Sequence, residues 1–368
     1  MTRVLVTGAT GFVGRSLCMA LADAGYTVRA ALRTDQAIPA AVAEKVVVGE
    51  IGRLTDWTAA LTSVELVIHT AARAHVFGEA ATHADLYEET NAHGTGRLAE
   101  MAGRHGVRRL VYLSSVKVNG EGTTTRPYTP DDPPLPQDAY GSSKWLGEKL
   151  LYEVAARSTV EVAVLRSPLV YGPGVRANFL RLLSWVDKGW PLPLGAVNNR
   201  RSLVSVWNLC DLLIHLLQHE AAAGRTWMAS DGDDLSTPQL IRCIGKAMNK
   251  QVSLIPVPVA LLRLGGRLLG RSAEINRLCG SLVVDIARTR HDLAWNPAMT
   301  VADALARTAA WYADERHVHA EVVLVEGGGV VRLGIENHQF DRHAFARYRS
   351  PRRLVTNDAV SPVTPYHL

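Results

Sequence analysis

Cysteine is scarce and scattered: Cys18, Cys210, Cys243 and Cys279 are the only four in 368 residues, and no C-x-x-C pair occurs. That spacing excludes a cysteine-built metal cluster or disulfide framework and suits a reducing compartment. Long apolar runs are also missing. The longest stretch, Val252 to Leu262, is interrupted by Arg263, well short of the roughly 20 residues that span a bilayer, so stable membrane insertion is not expected. Charge of one sign never clusters. The net charge is +5, with lysines and arginines spread along the chain, which disfavours nucleic acid as a partner. No internal repeat is evident. The chain begins at once with a strand and its glycine turn, so no secretory leader is expected and a cytoplasmic location is.

What is present is ordinary for a soluble globular protein, 47% hydrophobic and 20% charged, and long enough for one large domain or two coupled ones. Short apolar runs at Arg3–Thr7, Thr27–Leu32, Lys45–Val48, Glu65–His69, Leu110–Ser114 and Val162–Arg166 alternate with helical periodicity at Phe12–Ala24, Thr95–Arg104 and Tyr140–Ala156. This rhythm predicts a parallel sheet with helices on both faces. Between Gly120 and Asp138 the pattern breaks into a loop rich in Thr, Pro and Asp, placed to wall a substrate pocket. After Tyr171 the rhythm loosens. Helices are expected at Ala177–Lys188, Asn208–His219, Thr237–Asn249, Val259–Leu269 and Val301–Tyr312. The expected division is residues 1–175 as a dinucleotide-binding domain, 176–315 as a substrate-binding region partly packed back on it, and 316–368 as an appendage. Apart from Glu321–Val325, the appendage lacks core periodicity; His317, His319, His338 and His343 there read as solvated residues rather than metal ligands, and no metal is expected.

Two motifs carry chemistry. Gly8-Ala9-Thr10-Gly11-Phe12-Val13-Gly14 follows the run Val4-Leu5-Val6. Glycines at this spacing turn the chain sharply and let backbone N–H groups approach a pyrophosphate at a helix N-terminus. The end of the second strand reads Arg29-Ala30-Ala31-Leu32-Arg33-Thr34, without a carboxylate. An acid there would hold the ribose of NAD, and an arginine accommodates the phosphate of NADP. Arg33 therefore points to NADP(H), with NAD(H) as the alternative. Far downstream, Tyr140 and Lys144 are four apart, one helical turn, with Ser114-Ser115 at an earlier strand end. A tyrosine has a pKa of about 10. A neighbouring ammonium favours its phenolate, so Tyr140 can exchange a proton with a hydroxyl or carbonyl while Ser115 orients the same oxygen.

With these motifs, residues 1–312 resemble the extended short-chain dehydrogenases/reductases, the family of nucleotide-sugar epimerases, dehydratases and reductases. The resemblance implies an α/β, Rossmann-type doubly wound parallel sheet with a smaller C-terminal substrate-binding region. It implies a catalytic trio of Ser115, Tyr140 and Lys144. Gly8, Thr10, Gly11, Phe12, Val13, Arg33, Glu50, Ile51, Thr70, Ala71, Ala72, Asn91, Tyr140, Lys144 and Pro168 would line the dinucleotide. Lys117, Asn178, Arg201 and Arg277 would face a nucleotide-sugar substrate, Arg201 clamping its diphosphate. A homodimer is implied as well. The chain departs from the pattern at Asn119, where the family usually has tyrosine. That variant is similar to bacterial polysaccharide enzymes acting on N-acetylated sugars.

The leading expectation is an NAD(P)H-dependent reductase of the C4 ketone of a UDP-N-acetyl-6-deoxyhexosamine. An NAD-dependent UDP-glucose or UDP-N-acetylglucosamine 4-epimerase is the alternative, and a non-catalytic NAD(P)-binding regulator is a reading of a different class. A 4,6-dehydratase is disfavoured because Val116 and Lys117 stand where an acid–base pair is expected after the serine.

Overall fold

Strands covered on both faces need apolar side chains at nearly every position, and the short apolar runs fold accordingly. In the computed structural model, which describes residues 1–74 and 84–321 with side chains through residue 316, they form β1 (Arg3–Thr7), β2 (Thr27–Leu32), β3 (Glu44–Val47), β4 (Leu66–His69), β5 (Arg109–Ser115), β6 (Glu161–Ser167), β7 (Leu169–Tyr171), β8 (Leu203–Ser205) and β9 (Arg225–Met228). The expected histidines of the appendage, and the run at Glu321–Val325 beyond the first residue's backbone, lie outside the described side chains.

Seven strands make one parallel sheet in the order β3-β2-β1-β4-β5-β6-β9. The strand order reverses between β1 and β4, which opens a crevice at the carboxyl ends where ligands of such sheets bind. Helices flank the sheet or lie beyond it: α1 (Phe12–Asp23), α2 (Thr58–Leu61), α3 (Ala84–Glu88), α4 (Gly94–Arg104), α5 (Ala139–Ala155), α6 (Ala177–Asp187), α7 (Val206–Gln218), α8 (Thr237–Ala247), α9 (Val259–Leu268), α10 (Ser272–Cys279), α11 (Ala287–Asp292) and α12 (Val301–Glu321). One core layer packs Leu98, Ala99 and Ala102 of α4 and Leu151 and Val154 of α5 against Leu5, Val67, Leu110, Val162 and Val164 of the sheet.

The C-terminal part is tied to this body. β9 extends the main sheet beside β6, while β7 and β8 pair in parallel as a separate two-stranded sheet. The loop after β5 is stitched to the chain before α11: Thr123 N–H donates to Ser281 O, Tyr128 N–H to Val283 O, and Asp285 N–H to Tyr128 O, at 2.8 Å each. Val116, Met228, Leu282, Val284 and Ile286 close over that seam, with Tyr128 packed on them. The loop Gly120–Asp138, expected to wall a substrate pocket, is thus held by pairing at Thr123 and Tyr128. No helix among the described residues is long and apolar enough to cross a membrane.

Candidate active site

The glycine turn after β1 is shaped by close approach. Gly8 has φ +68°, and a Cβ there would sit 2.7 Å from Ala71 N; at Gly14 it would sit 2.0 Å from Gly8 O. Only hydrogen fits at either position. Gly11 is different. It is exposed, and an added Cβ would meet only Gly8 O, at 3.2 Å, within 4 Å. From Gly11, α1 starts without a side-chain cap and without an acid in its first turn, leaving N–H donors and the positive end of the helix dipole facing open space. A pyrophosphate fits these residues. Thr10, Phe12 and Val13 border that space, half-buried. Thr70 Oγ1 donates to Thr7 O at 2.7 Å and Ala71 N–H to Thr7 Oγ1 at 3.2 Å, so the loop after β4, Ala72 included, is fastened beside the glycines.

At the other end of the crevice, the two strand-two arginines separate. Arg29 turns back to Glu44 and to the carbonyls of Ala59, Ala60 and Thr62, a structural role. Arg33 stays exposed and meets Glu50 at 3.5 Å. Ile51, next to Glu50, packs so tightly on Gly94 that a Cβ there would lie 2.5 Å from its methyl group.

Beneath the crevice runs a buried polar chain. His69 bridges Thr7 Oγ1 at 2.6 Å and Thr95 Oγ1 at 2.9 Å. Burial, then the nearby Lys144, lowers its pKa to about 3, so the ring is neutral. Thr95 Oγ1 donates to Asn91 O at 2.7 Å. It therefore accepts from His69 Nε2–H, and Nδ1 accepts from Thr7. Asn91 sits on a π-helical turn, Glu89–His93, between α3 and α4, the kind of local widening often found at functional sites. Its amide pairs with both backbone groups of Arg73 and donates to Ser143 Oγ at 3.0 Å, which in turn donates to Tyr140 O at 2.8 Å. The asparagine expected to line a cofactor anchors the first turn of α5.

That turn presents Tyr140 and Lys144. Asp138 caps α5 through Gly141 N–H at 2.7 Å. Tyr140 is half-buried, hydrogen-bonded to the Ser115 side chain and edge-on to Tyr87 at 6.5 Å. Lys144 is 1% exposed, its Nζ 4.2 Å from the centre of the Tyr112 ring. Pro168, buried, closes the end of β6 nearby. Burial, then the Asp138 carboxylate, pushes the Tyr140 phenol up to about 12 against the bond from Ser115. Burial also drops Lys144 to about 7, with Glu148 opposing.

Glu148 carried no sequence signal. Glu148, one turn beyond Lys144, is fully buried and binds Arg166 of β6 through both oxygens, at 2.6 and 3.0 Å, while Ser114 donates to it at 2.5 Å. Arg166 also donates to Asn119 Oδ1 at 3.2 Å, and Asn119 donates to Thr129 O. Asn119 is 2% exposed. The residue at which the chain departs from the family's tyrosine therefore supports a buried arginine. Lys117 is held by Asp138 and Glu121.

Two arginines expected on the substrate side come together. Arg201 donates to Arg277 O at 2.6 Å and Gly280 O at 3.1 Å, and burial followed by the Arg277 charge lowers its pKa, with Glu121 opposing. Arg277 is exposed on α10. Asn178, also exposed, accepts from Arg181 at 2.7 Å, and Arg181 reaches Glu274 of α10 at 3.6 Å. Asn178 is therefore linked through Arg181 to the helix that carries Arg277. The arrangement offers an anion-binding helix end, a phenol–serine pair for proton transfer, and guanidinium groups for a second anion.

A protein-family model described as the NAD dependent epimerase/dehydratase family matches residues 4–229. The chain is 41% identical to a UDP-glucose 4-epimerase of Vibrio cholerae over 310 residues, 83% of this chain and 94% of that one. It is 26% identical to an N-acetyl-α-D-glucosaminyl-diphospho-ditrans,octacis-undecaprenol 4-epimerase of Escherichia coli O157:H7, over 86% and 96% of the two chains. Among solved structures, the UDP-glucuronic acid 4-epimerase of Bacillus cereus in complex with NAD shares the fold, with a TM-score of 0.68 at 20% identity over 85% of this chain and 99% of that one.

Proposed function

The chain belongs to the NAD dependent epimerase/dehydratase family, and from that premise we propose that it is a 4-epimerase of UDP-linked hexoses. The observation that carries this reading is the 41% identity to a UDP-glucose 4-epimerase over 94% of that chain, joined to a Ser115–Tyr140–Lys144 site at the strand ends. That identity supports the epimerase alternative over the reductase expectation, and Asn119, where the chain departs from the family's tyrosine, is engaged with Arg166.

Tyr140 would take the proton of the sugar C4 hydroxyl as that carbon is oxidised, and return it when the carbon is reduced on the opposite face. Ser115 would hold the same oxygen through its hydroxyl, keeping donor and acceptor in line. Lys144, on the same face of α5 one turn below, would bind dinucleotide hydroxyls and place a cation near the phenol. The dinucleotide, when bound, supplies the hydride acceptor and donor that no side chain can. Gly11 and the first turn of α1 would hold its pyrophosphate, and Arg33 and Glu50 would border its adenosine end. Purified protein is expected to interconvert UDP-glucose and UDP-galactose to an equilibrium mixture, read by proton NMR, without net consumption of NAD(P)H. Stoichiometric consumption of NADPH with a 4-keto sugar nucleotide, and no interconversion, would restore the reductase.

The missing acid at the end of β2 and the exposed Arg33 support NADP(H) over NAD(H). Replacing Arg33 with serine is expected to weaken NADP(H) about tenfold while leaving NAD(H) nearly unchanged, measured by fluorescence titration. Equal effects on both would remove Arg33 from the phosphate site.

Arg277, exposed on α10, supports a diphosphate contact beside Arg201, whose Nη1 already serves two carbonyls. Arg277→Met is expected to raise KM for the UDP-sugar by about 10- to 100-fold, the value of one charge-assisted contact. Its kcat should stay within a few-fold. A fall in kcat at constant KM would place the residue elsewhere.

A further inference from the structure

The surface of α9 is unusual for a helix of a soluble body. Only Gly266 is buried, seated where a Cβ would strike Ile275 of α10 at 2.8 Å. Leu261, Leu264 and Leu268, spaced i, i+3 and i+7, lie on one face and are 58%, 53% and 80% exposed; Leu269 continues them. Arg263 and Arg267 form a parallel stripe one position over on α9, and Arg271 follows past the turn at Gly270; all three are exposed. From Gln251 to Ala273 the sequence has no aspartate or glutamate. The patch extends toward Trp190. Leu192 pairs with Ser253 and Ile255 through backbone bonds of 2.9 and 2.8 Å, Ile255 is exposed, and half-exposed Trp190 lies under the Lys188 ammonium at 4.8 Å.

We propose that this face docks on an anionic lipid bilayer, the leucines entering the headgroup boundary and the arginines meeting lipid phosphates. Aliphatic side chains flanked by cations, with a tryptophan and a lysine at the margin, are what an interfacial helix presents to such a surface. Protein interfaces instead centre on aromatic and methionine anchors with matched polar partners. A second copy of this chain packed symmetrically would set the arginine stripe against itself, whereas an anionic membrane satisfies the same three charges. The consequence reaches the site, because α9 packs on α10, which carries Arg277.

The test is flotation of the full chain with vesicles. Vesicles containing phosphatidylglycerol are expected to bind it about a hundredfold more strongly than pure phosphatidylcholine, from three arginines at the surface, and raised salt should erase most of that difference. Leu264→Ser/Leu268→Ser should lower binding at least about tenfold, with thermal unfolding unchanged. Arg263→Gln/Arg267→Gln/Arg271→Gln should remove the preference for anionic vesicles. Failure of the wild-type chain to float, or flotation of the leucine double variant equal to wild type, overturns the proposal. So does a leucine double variant that changes oligomeric state by light scattering without changing vesicle binding, since a protein contact would then cover the face.

Discussion

Tyr140→Phe is expected to cut kcat by a factor of 10²–10⁴, the span of a lost general acid–base group, with substrate KM and dinucleotide binding close to wild type. The substitution removes one oxygen. It leaves the edge contact with Tyr87 and the Asn91–Ser143 anchor of the first turn of α5 intact, so folding should be unaffected. The remaining loss is the proton relay at the sugar oxygen. Ser115→Ala should cost less, about 10- to 100-fold, because it removes a bond to that oxygen and not the group that carries the proton. The pH profile adds a readout that a merely structural role would not move. A phenol raised to about 12 holds its proton at neutral pH, so kcat/KM for the oxidative direction should climb with pH as the phenolate becomes accessible. The Phe variant should lack that limb. Residual turnover within threefold of wild type would remove Tyr140 from the chemistry, and a regulator that only binds dinucleotide would keep its function in the variant.

Much of the body was legible in the sequence where apolar period and glycine punctuation agreed. The runs at β1, β2 and β4 and the helix α1 were read to within a residue or two at either end. β9 was not: it is four residues, Arg225–Met228, after Gly224, and it becomes a strand because the edge of β6 is free to pair with it. β7 and β8, three residues each, are likewise made by each other. The site divides the same way. Ser115, Tyr140 and Lys144 announce themselves by spacing on one helix face and one strand end. Asp138 and Glu148 share that helix with Tyr140 and Lys144 at intervals the sequence displays, yet carboxylates on helices are common, and only the burial of Glu148 against Arg166 marks it. Asn119 illustrates the limit of resemblance: a family position identifies a place in the chain, and the neighbour that packs there decides the role. For Arg201, two backbone carbonyls about eighty residues away hold Nη1, a contact that no spacing in the sequence announces.

Lys144→Met should abolish most turnover and at the same time stabilise the dinucleotide-free protein. The ammonium is 1% exposed, and burial brings its pKa from 10.5 to about 7. Below pH 7 the folded chain therefore carries a buried charge at a cost of a few kcal/mol. Between pH 7 and 10.5 the unfolded state binds more protons than the folded one at this site. Unfolding free energy from this group thus rises with pH across that window, and the penalty is largest on the acid side. Methionine fills nearly the same volume without the charge, and it strands no counter-ion, because Glu148 keeps both its bonds to Arg166 and the one from Ser114. Thermal unfolding at pH 6 should then show the variant about 4 °C above wild type, the gap closing toward pH 10.5. Dinucleotide affinity should fall in the same variant by about 10- to 100-fold through lost charge-assisted contacts to cofactor hydroxyls. A variant less stable than wild type at pH 6 would mean that the ammonium is held by favourable contacts, and Lys144 would then be a structural cation. The opposite signs are what a functional residue kept at the expense of stability produces.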